Sequence, residues 1–244
     1  MAEFSIQIAG RTAAVRSLFD STRDYCARYL TEDAPDFTVT VTREDLVFEQ
    51  QFLDAEADEE GLRRRIFTEP FLERAAIQRQ VAERLLSCGV LLLHGSAVAV
   101  DGHGYLFTAK TGTGKSTHTR LWRQVFGERA VMINDDKPFL KIADEGVFLC
   151  GAPWSGKHGL DTNLSVPLAG ICILARGTEN RIAPADAQSA HDFLAHQCQL
   201  PRQAQDLTQF ECLLQSLTRR VPLWHMACTI SPEAATTAYE AMKP

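Results

Sequence analysis

The 244-residue chain has no apolar run long enough to cross a bilayer; the longest, GVLLLHGSAVAV, is broken by His94 and Gly95. No membrane segment is therefore expected. Basic residues are not in excess either. The 25 Lys and Arg stand against 31 Asp and Glu, a formal charge of -6, whereas a general nucleic-acid binder needs a basic face to displace counterions from phosphates. No nucleic-acid partner is expected. The seven cysteines form no C-x-x-C pair, and MAEFSIQIAG at the N-terminus lacks a basic region followed by an apolar run. Both point to a reducing, cytoplasmic setting. There is no internal repeat and no low-complexity linker. What is present is 45% apolar content, enough for one sizeable core or one main domain with a small appendage.

The texture changes near residue 68. Before it, FSIQIAG and FTVTVT alternate apolar and polar with period two, and LVFEQQF reads as a continuation of the same small sheet. The acidic run from Asp54 to Gly61 reads as a solvated loop. From Pro70 to Cys88 apolar residues recur at helical spacing, and this helix leads into the buried strand VLLLH. The expected division is a small β-rich portion, residues 1–68, followed by the main domain, residues 69–244.

The main domain carries GSAVAVDGHGYLFTAKTGTGKST, two apolar strands joined at Asp101-Gly102-His103-Gly104, a composition that supplies the positive backbone angles of a tight hairpin. The second strand runs directly into Ala109-x-x-x-x-Gly114-Lys115-Ser116, and an amphipathic helix ended by Gly127 follows. Strand, loop and helix in this order define a phosphate loop. The backbone N–H groups of Lys110, Thr111, Gly112, Thr113, Gly114, Lys115 and Ser116 would converge on nucleotide phosphates at the positive end of the helix, where Thr117 also stands. Lys115 would reach the terminal phosphates and Ser116 would ligate Mg2+. Ala109 replaces the usual first glycine, which is tolerable where φ stays negative.

After the helix, AVMINDDKPFL is a buried strand ending in Asp135 and Asp136. Adjacent carboxylates beside a phosphate loop can divide two tasks, one holding the metal and the other accepting a proton from an attacking hydroxyl. The metal ligands expected are Ser116 and Asp135, while the sequence leaves open which of the two aspartates is the base. In another context the same pair would be turn residues ahead of Lys137-Pro138.

Together these residues resemble the HPr kinase/phosphorylase group and its relatives, which share a nucleotide-binding core with the ATP-dependent phosphoenolpyruvate carboxykinases. The resemblance rests on Leu93-His94-Gly95, the hairpin, AKTGTGKST and Asp135-Asp136, with His94 fifteen residues before Ala109. It spans residues 90 to 140. It implies an α/β fold with a mixed β-sheet P-loop core of the HPr kinase C-terminal-domain or carboxykinase type. It implies ATP and Mg2+ as cofactors, and His94 close to the transferred phosphoryl group, neutralising charge or moving a proton. Residues 1 to 84 do not look like the large N-terminal domain of the HPr kinases, and no segment matches their docking segment for the protein substrate. The expected activity is transfer of the γ-phosphoryl group to a hydroxyl, on a serine of a protein or peptide or on a small metabolite. Carboxykinase-like chemistry and a non-catalytic ATP-binding module remain open, as does oligomeric state.

CGAPWSGKHGLDTN, Cys150 to Asn163, concentrates a proline, an aromatic, glycines and a lysine ahead of another buried strand. Such a loop would reach over the site, with Lys157 stabilising charge, Trp154 stacking on a substrate, and Ser155 or Asn163 adding hydrogen bonds. Arg176, at the end of ICILAR, is a further phosphate candidate.

Overall fold

The period-two alternation at the N-terminus becomes a three-stranded sheet in the computed structural model, which describes residues 2–59, 61 and 63–244. β1 (Ala2–Ile8) and β2 (Arg11–Ser17) form an antiparallel hairpin across Ala9 and Gly10, whose φ angles of 53° and 76° match a turn with positive φ at both central residues. α1 (Ser21–Tyr25) follows, and β3 (Phe37–Thr40) lies parallel to β2.

The next segment departs from the expectation. LVFEQQF is not a strand, and the acidic residues from Asp54 to Glu59 are not a loop, because both lie in the 17-residue helix α2 (Arg43–Glu59). Glu60 lies outside the described residues, and Gly61 sits in a turn. A reciprocal cap starts the helix: Asp45 accepts from the Thr42 backbone N–H, and the Thr42 hydroxyl accepts from the Asp45 N–H. Leu46 and Glu49, three apart, are its buried residues. The portion before residue 68 is therefore mixed rather than β-rich.

α3 (Glu69–Leu86) covers the helix expected from Pro70 onward. Its buried Glu73 accepts from the backbone of Leu18 and Phe19 and from the Thr22 hydroxyl. Arg79 pairs with Glu49 at 2.6 Å and Asp45 at 3.2 Å. The chain divides into two compact units, one ending at Arg84 and one beginning at Leu85. All but the end of α3 thus belongs with the first unit, and the division falls after the expected 68/69 boundary.

In the second unit the strands are β4 (Val90–Leu92), β5 (Ser96–Val100), β6 (His103–Thr108), β7 (Ala130–Asn134), β8 (Phe139–Ala143), β9 (Gly146–Cys150), β10 (Ser165–Arg176), β11 (Arg181–Pro184) and β12 (Leu223–Cys228). The helices are α4 (Lys115–Phe126), α5 (Ala187–Gln197), α6 (Leu207–Arg220) and α7 (Pro232–Met242). Among the described residues the strand order is β4-β8-β9-β10-β6-β5-β7, with β12 also on β10 and β11 on β12. β6 and β12 run parallel to β10 and the other pairs run antiparallel, so the sheet is mixed. β10 bonds β9 through Ser165–Pro167 and β12 through Ile171–Arg176, with a register irregularity between Leu168 and Gly170 where it changes partner.

Both faces of this sheet are covered, which explains the unbroken apolar run of β5. Ala97 and Ala99 join a core with Leu106, Leu194 and Leu214 under α5 and α6. Val98 and Val100 join the opposite core with Phe107, Trp122 and Ala238 under α4 and α7. The β5–β6 turn has φ of 52° at Asp101 and 80° at Gly102, as its composition predicts. No described helix is long and apolar enough to cross a membrane.

Candidate functional site

The core fixes β6, and β6 aims the loop that follows it. Residues 109–114 connect β6 to α4, whose first residue is Lys115. Gly112 and Gly114 take φ of 76° and 121°, angles that a side chain resists. Ala109 is buried and is not among the non-glycine residues with positive φ, so the missing first glycine costs the loop nothing at that angle. Lys110, Thr111, Gly112 and Ser116 are exposed, while Thr113, Gly114, Lys115 and Thr117 are partly so. The Lys115 ammonium donates to the Ala109 carbonyl at 3.0 Å, folding its chain back along the loop. Arg176, at the end of β10, donates to the Gly112 carbonyl at 2.7 Å and so braces the loop from the neighbouring strand.

Asp135 and Asp136 follow β7 but meet different surroundings. Asp135 is only 8% exposed, and its carboxylate accepts from the Ser96 hydroxyl at 2.6 Å. The Ser96 and Thr119 hydroxyls are 2.7 Å apart, and the Thr119 hydroxyl donates to the Ser116 carbonyl at 3.3 Å. A chain of hydroxyls thus ties Asp135 to the first turns of α4. Asp136 lies 3.5 Å from Nε2 of His94. Burial raises its pKa above the ordinary aspartate value, opposed by the charges of Lys137 and Lys115 and reinforced by Asp135.

His94 occupies the bend between β4 and β5. Its N–H donates to the Gln197 carbonyl at 2.8 Å and its carbonyl accepts from Thr108 at 2.9 Å. Gly95 beside it must be glycine, because a Cβ there would fall 2.8 Å from Leu106 Cδ1 and 2.9 Å from the Phe107 carbonyl. Burial, then the charges of Lys137 and Lys115, push the imidazole down to about 3. His94 is therefore neutral at pH 7, and its contact with Asp136 is not an ion pair.

The expected loop over the site is present, though its parts act differently from the expectation. Trp154 is 5% exposed and packs edge-on against Phe139, so its ring is an anchor unavailable for stacking on a substrate. Ser155 is buried and donates to Asp161 at 2.6 Å, which makes it a brace of the loop itself. Gly156, with φ of 68°, lies against Asp136; a Cβ there would stand 3.1 Å from Asp136 Cβ. Lys157 follows in a single 3-10 turn, exposed and without a hydrogen bond or ion pair among the described residues. Asn163 is exposed in the same loop.

Three residues escape sequence reasoning. Asn134 accepts from the N–H groups of Asp136 at 2.8 Å and Lys137 at 2.7 Å, and donates to the carbonyls of Ala152 at 2.8 Å and Trp154 at 3.3 Å. It shapes both the aspartate turn and the loop. Ser96 and Thr119 are the others. Each is a polar residue inside a buried stretch, and that is the signal that would have found them.

The geometry thus gathers Lys115, His94, Asp135 and Asp136, with Ser116 linked through Thr119. Lys157 stands beside this group on the Gly156 turn without touching it. No group of three or more His, Cys, Asp or Glu suited to a metal occurs among the described residues. A hydroxyl such as that of Ser116 and a carboxylate such as that of Asp135 are oxygen donors of the kind Mg2+ takes beside waters and phosphate oxygens.

No family model matches the chain, and no curated protein matches it. Among solved structures, the Hpr(Ser) kinase/phosphatase from Coxiella burnetii is similar at 12% identity over 62% of this chain and 95% of that one, with a TM-score of 0.38. So low a TM-score supports no inference about this chain.

Proposed function

We propose that this chain transfers the γ-phosphoryl group of ATP to a hydroxyl, with residues 109–117 cradling the donor and Asp136 as the base. The observation that carries this is the meeting of the aspartate turn with the head of α4: His94 Nε2 stands 3.5 Å from the Asp136 carboxylate, and the Ser96 and Thr119 hydroxyls tie Asp135 to the turn that begins with Lys115 and Ser116. The loop amides and the head of α4 favour phosphate oxygens. The Lys115 ammonium, now on the Ala109 carbonyl, would exchange that partner for the terminal phosphates. Ser116 and Asp135 would hold Mg2+, which neutralises charge between the β- and γ-phosphates when bound.

The acceptor hydroxyl passes its proton to Asp136 as its oxygen bonds to the γ-phosphorus and the bond to the bridging oxygen breaks, releasing ADP. A raised pKa makes Asp136 a better proton acceptor than an ordinary aspartate. His94, neutral at that pH, serves through hydrogen bonding and proton relay, not through positive charge. Lys157 on its exposed turn supplies charge to the transferred group once substrate is present. The acceptor is a serine of a protein or peptide, or a small hydroxylated metabolite.

The test is incubation with γ-labelled ATP, magnesium and a pool of amino acids, metabolites and peptides, read by mass spectrometry. Label on a hydroxyl of one component, lost in Asp136→Asn, supports the proposal. Nucleotide turnover that requires oxaloacetate would replace it with carboxykinase-like chemistry. ATP bound tightly and left intact in every mixture would replace it with an ATP-binding module.

A further inference from the structure

A cavity of about 590 Å³ opens beside the phosphate loop, a volume typical of small-molecule sites. Lys110 and Thr113 of the loop line it, together with the end of β10, His225 of β12 and the first turns of α5. Its place in the sheet is informative. From β6, which feeds the loop, the order runs through β5 to β7 on one side and through β10 to β12 on the other. The aspartates leave the sheet from β7, and the cavity is built on β10 and β12. A triphosphate with its reacting end at the aspartates has its other end directed toward the cavity.

The lining has two characters. Ile173 and Ala175 of β10 and Ala190 and Phe193 of α5 give apolar walls, the surface a heterocyclic base can bury and a phosphate cannot use. Charge is confined to the margins. Lys110 and Arg176 are the cations, and Arg176 is tied to the loop through the Gly112 carbonyl. Asp186 at the head of α5 is an anion, its carboxylate accepting the Ser189 N–H at 2.9 Å. Phosphates are attracted to the loop cations and repelled by Asp186, which orients a nucleotide with its uncharged end beneath α5.

We infer that the cavity between β10, β12 and α5 is the nucleoside site of the nucleotide whose phosphates the loop holds. This rests on the phosphate-loop proposal and adds what that proposal leaves open: affinity for a base and sugar, supplied by residues up to 116 positions beyond Ala109 (225 − 109).

The experiment is calorimetric titration of the full chain with two probes, MgATP and magnesium tripolyphosphate, which has the phosphates without a nucleoside. Ser189 is exposed on α5, so Ser189→Trp fills the cavity from a surface position and keeps the backbone N–H that caps the helix. Phe193→Ala removes a wall instead. ATP is expected to bind the wild type about tenfold or more tighter than tripolyphosphate, and each variant to lose about tenfold or more for ATP. Tripolyphosphate affinity should stay within about twofold in both variants, and Lys115→Ala should lose both probes. Equal affinity for the two probes in the wild type, or unchanged ATP affinity in both variants, overturns the nucleoside site and leaves the phosphate loop standing. Unchanged ATP affinity with reduced phosphoryl transfer overturns it in favour of an acceptor pocket. Failure of both probes to bind the wild type overturns the loop and the nucleoside site together.

Discussion

Two glycine-containing loops border the candidate site, and Gly112 in one and Gly151 in the other serve opposite needs. In residues 109–114, a Cβ at Gly112 would meet nothing within 4 Å and one at Gly114 would approach only Thr117 at 3.9 Å. Glycine is needed there for its positive φ alone. In residues 151–156, a Cβ at Gly151 would fall 1.9 Å from the Thr162 carbonyl and 3.1 Å from that of Ile133, although Gly151 is not among the positive-φ glycines. At Gly151 glycine is needed because protein already fills the space, while Gly156 in the same loop takes a positive φ of 68°. One loop leaves open space around its glycines, the other fits the protein's own backbone.

The comparison predicts that function and stability separate. The largest effect is on chemistry: Asp136→Asn should lower transfer by about 10²- to 10⁴-fold and leave ATP affinity unchanged, since the loop of residues 109–114 is untouched. Parallel binding and turnover assays check this, and normal turnover would remove Asp136 from the mechanism. Next comes packing. Gly151→Ala should cost about 3 kcal/mol by overpacking, and Gly112→Ala about 1 kcal/mol by backbone strain. Urea midpoints measure both, and equal costs would break the comparison. Lys157→Ala, at the tip of the packed loop, should slow transfer about tenfold without moving the melting temperature, since its side chain has no partner among the described residues.

At neutral pH the last effect vanishes and it grows only on acidification; it concerns the helix behind residues 109–114. His118 of α4 is buried and accepts from Trp122 Nε1 at 3.1 Å, and burial lowers its pKa to about 4. Between pH 6.5 and 4 the unfolded chain binds a proton at this position that the folded chain refuses, so stability falls as pH falls. The slope is about 1.4 kcal/mol per pH unit for one proton. His94, lowered for the same reason, adds to the decline toward pH 3. His118→Gln keeps an acceptor for Trp122 and should remove one proton's share of the slope between pH 6.5 and 4, His94 leaving its own; an unchanged profile would show that His118 titrates normally in the fold.

The strand, loop and helix from residue 103 to 126 are legible in the sequence because their determinants are local. A strand, a hairpin with Asp101-Gly102, fixed loop spacing and an amphipathic helix follow one another without interruption. α2 was misread because LVFEQQF is too short to settle its period, and what decides it is the Thr42–Asp45 cap and the pairing of Glu49 with Arg79, thirty residues away. Trp154 looked like a stacking platform because sequence gives its chemistry but not its burial against Phe139. Asn134 and Ser96 were invisible for the complementary reason: their partners lie 18 and 39 residues away. The cavity could not be read at all, since β10, β12 and α5 assemble it only after folding.

Asn134 has a mechanical consequence. Its amide oxygen grips the turn that carries Asp136 while its amide nitrogen grips Ala152 and Trp154, so one rigid plane is pinned at both edges. The loop and the Asp136 turn are thereby tied together: displacing either one strains the Asn134 hydrogen bonds that join them.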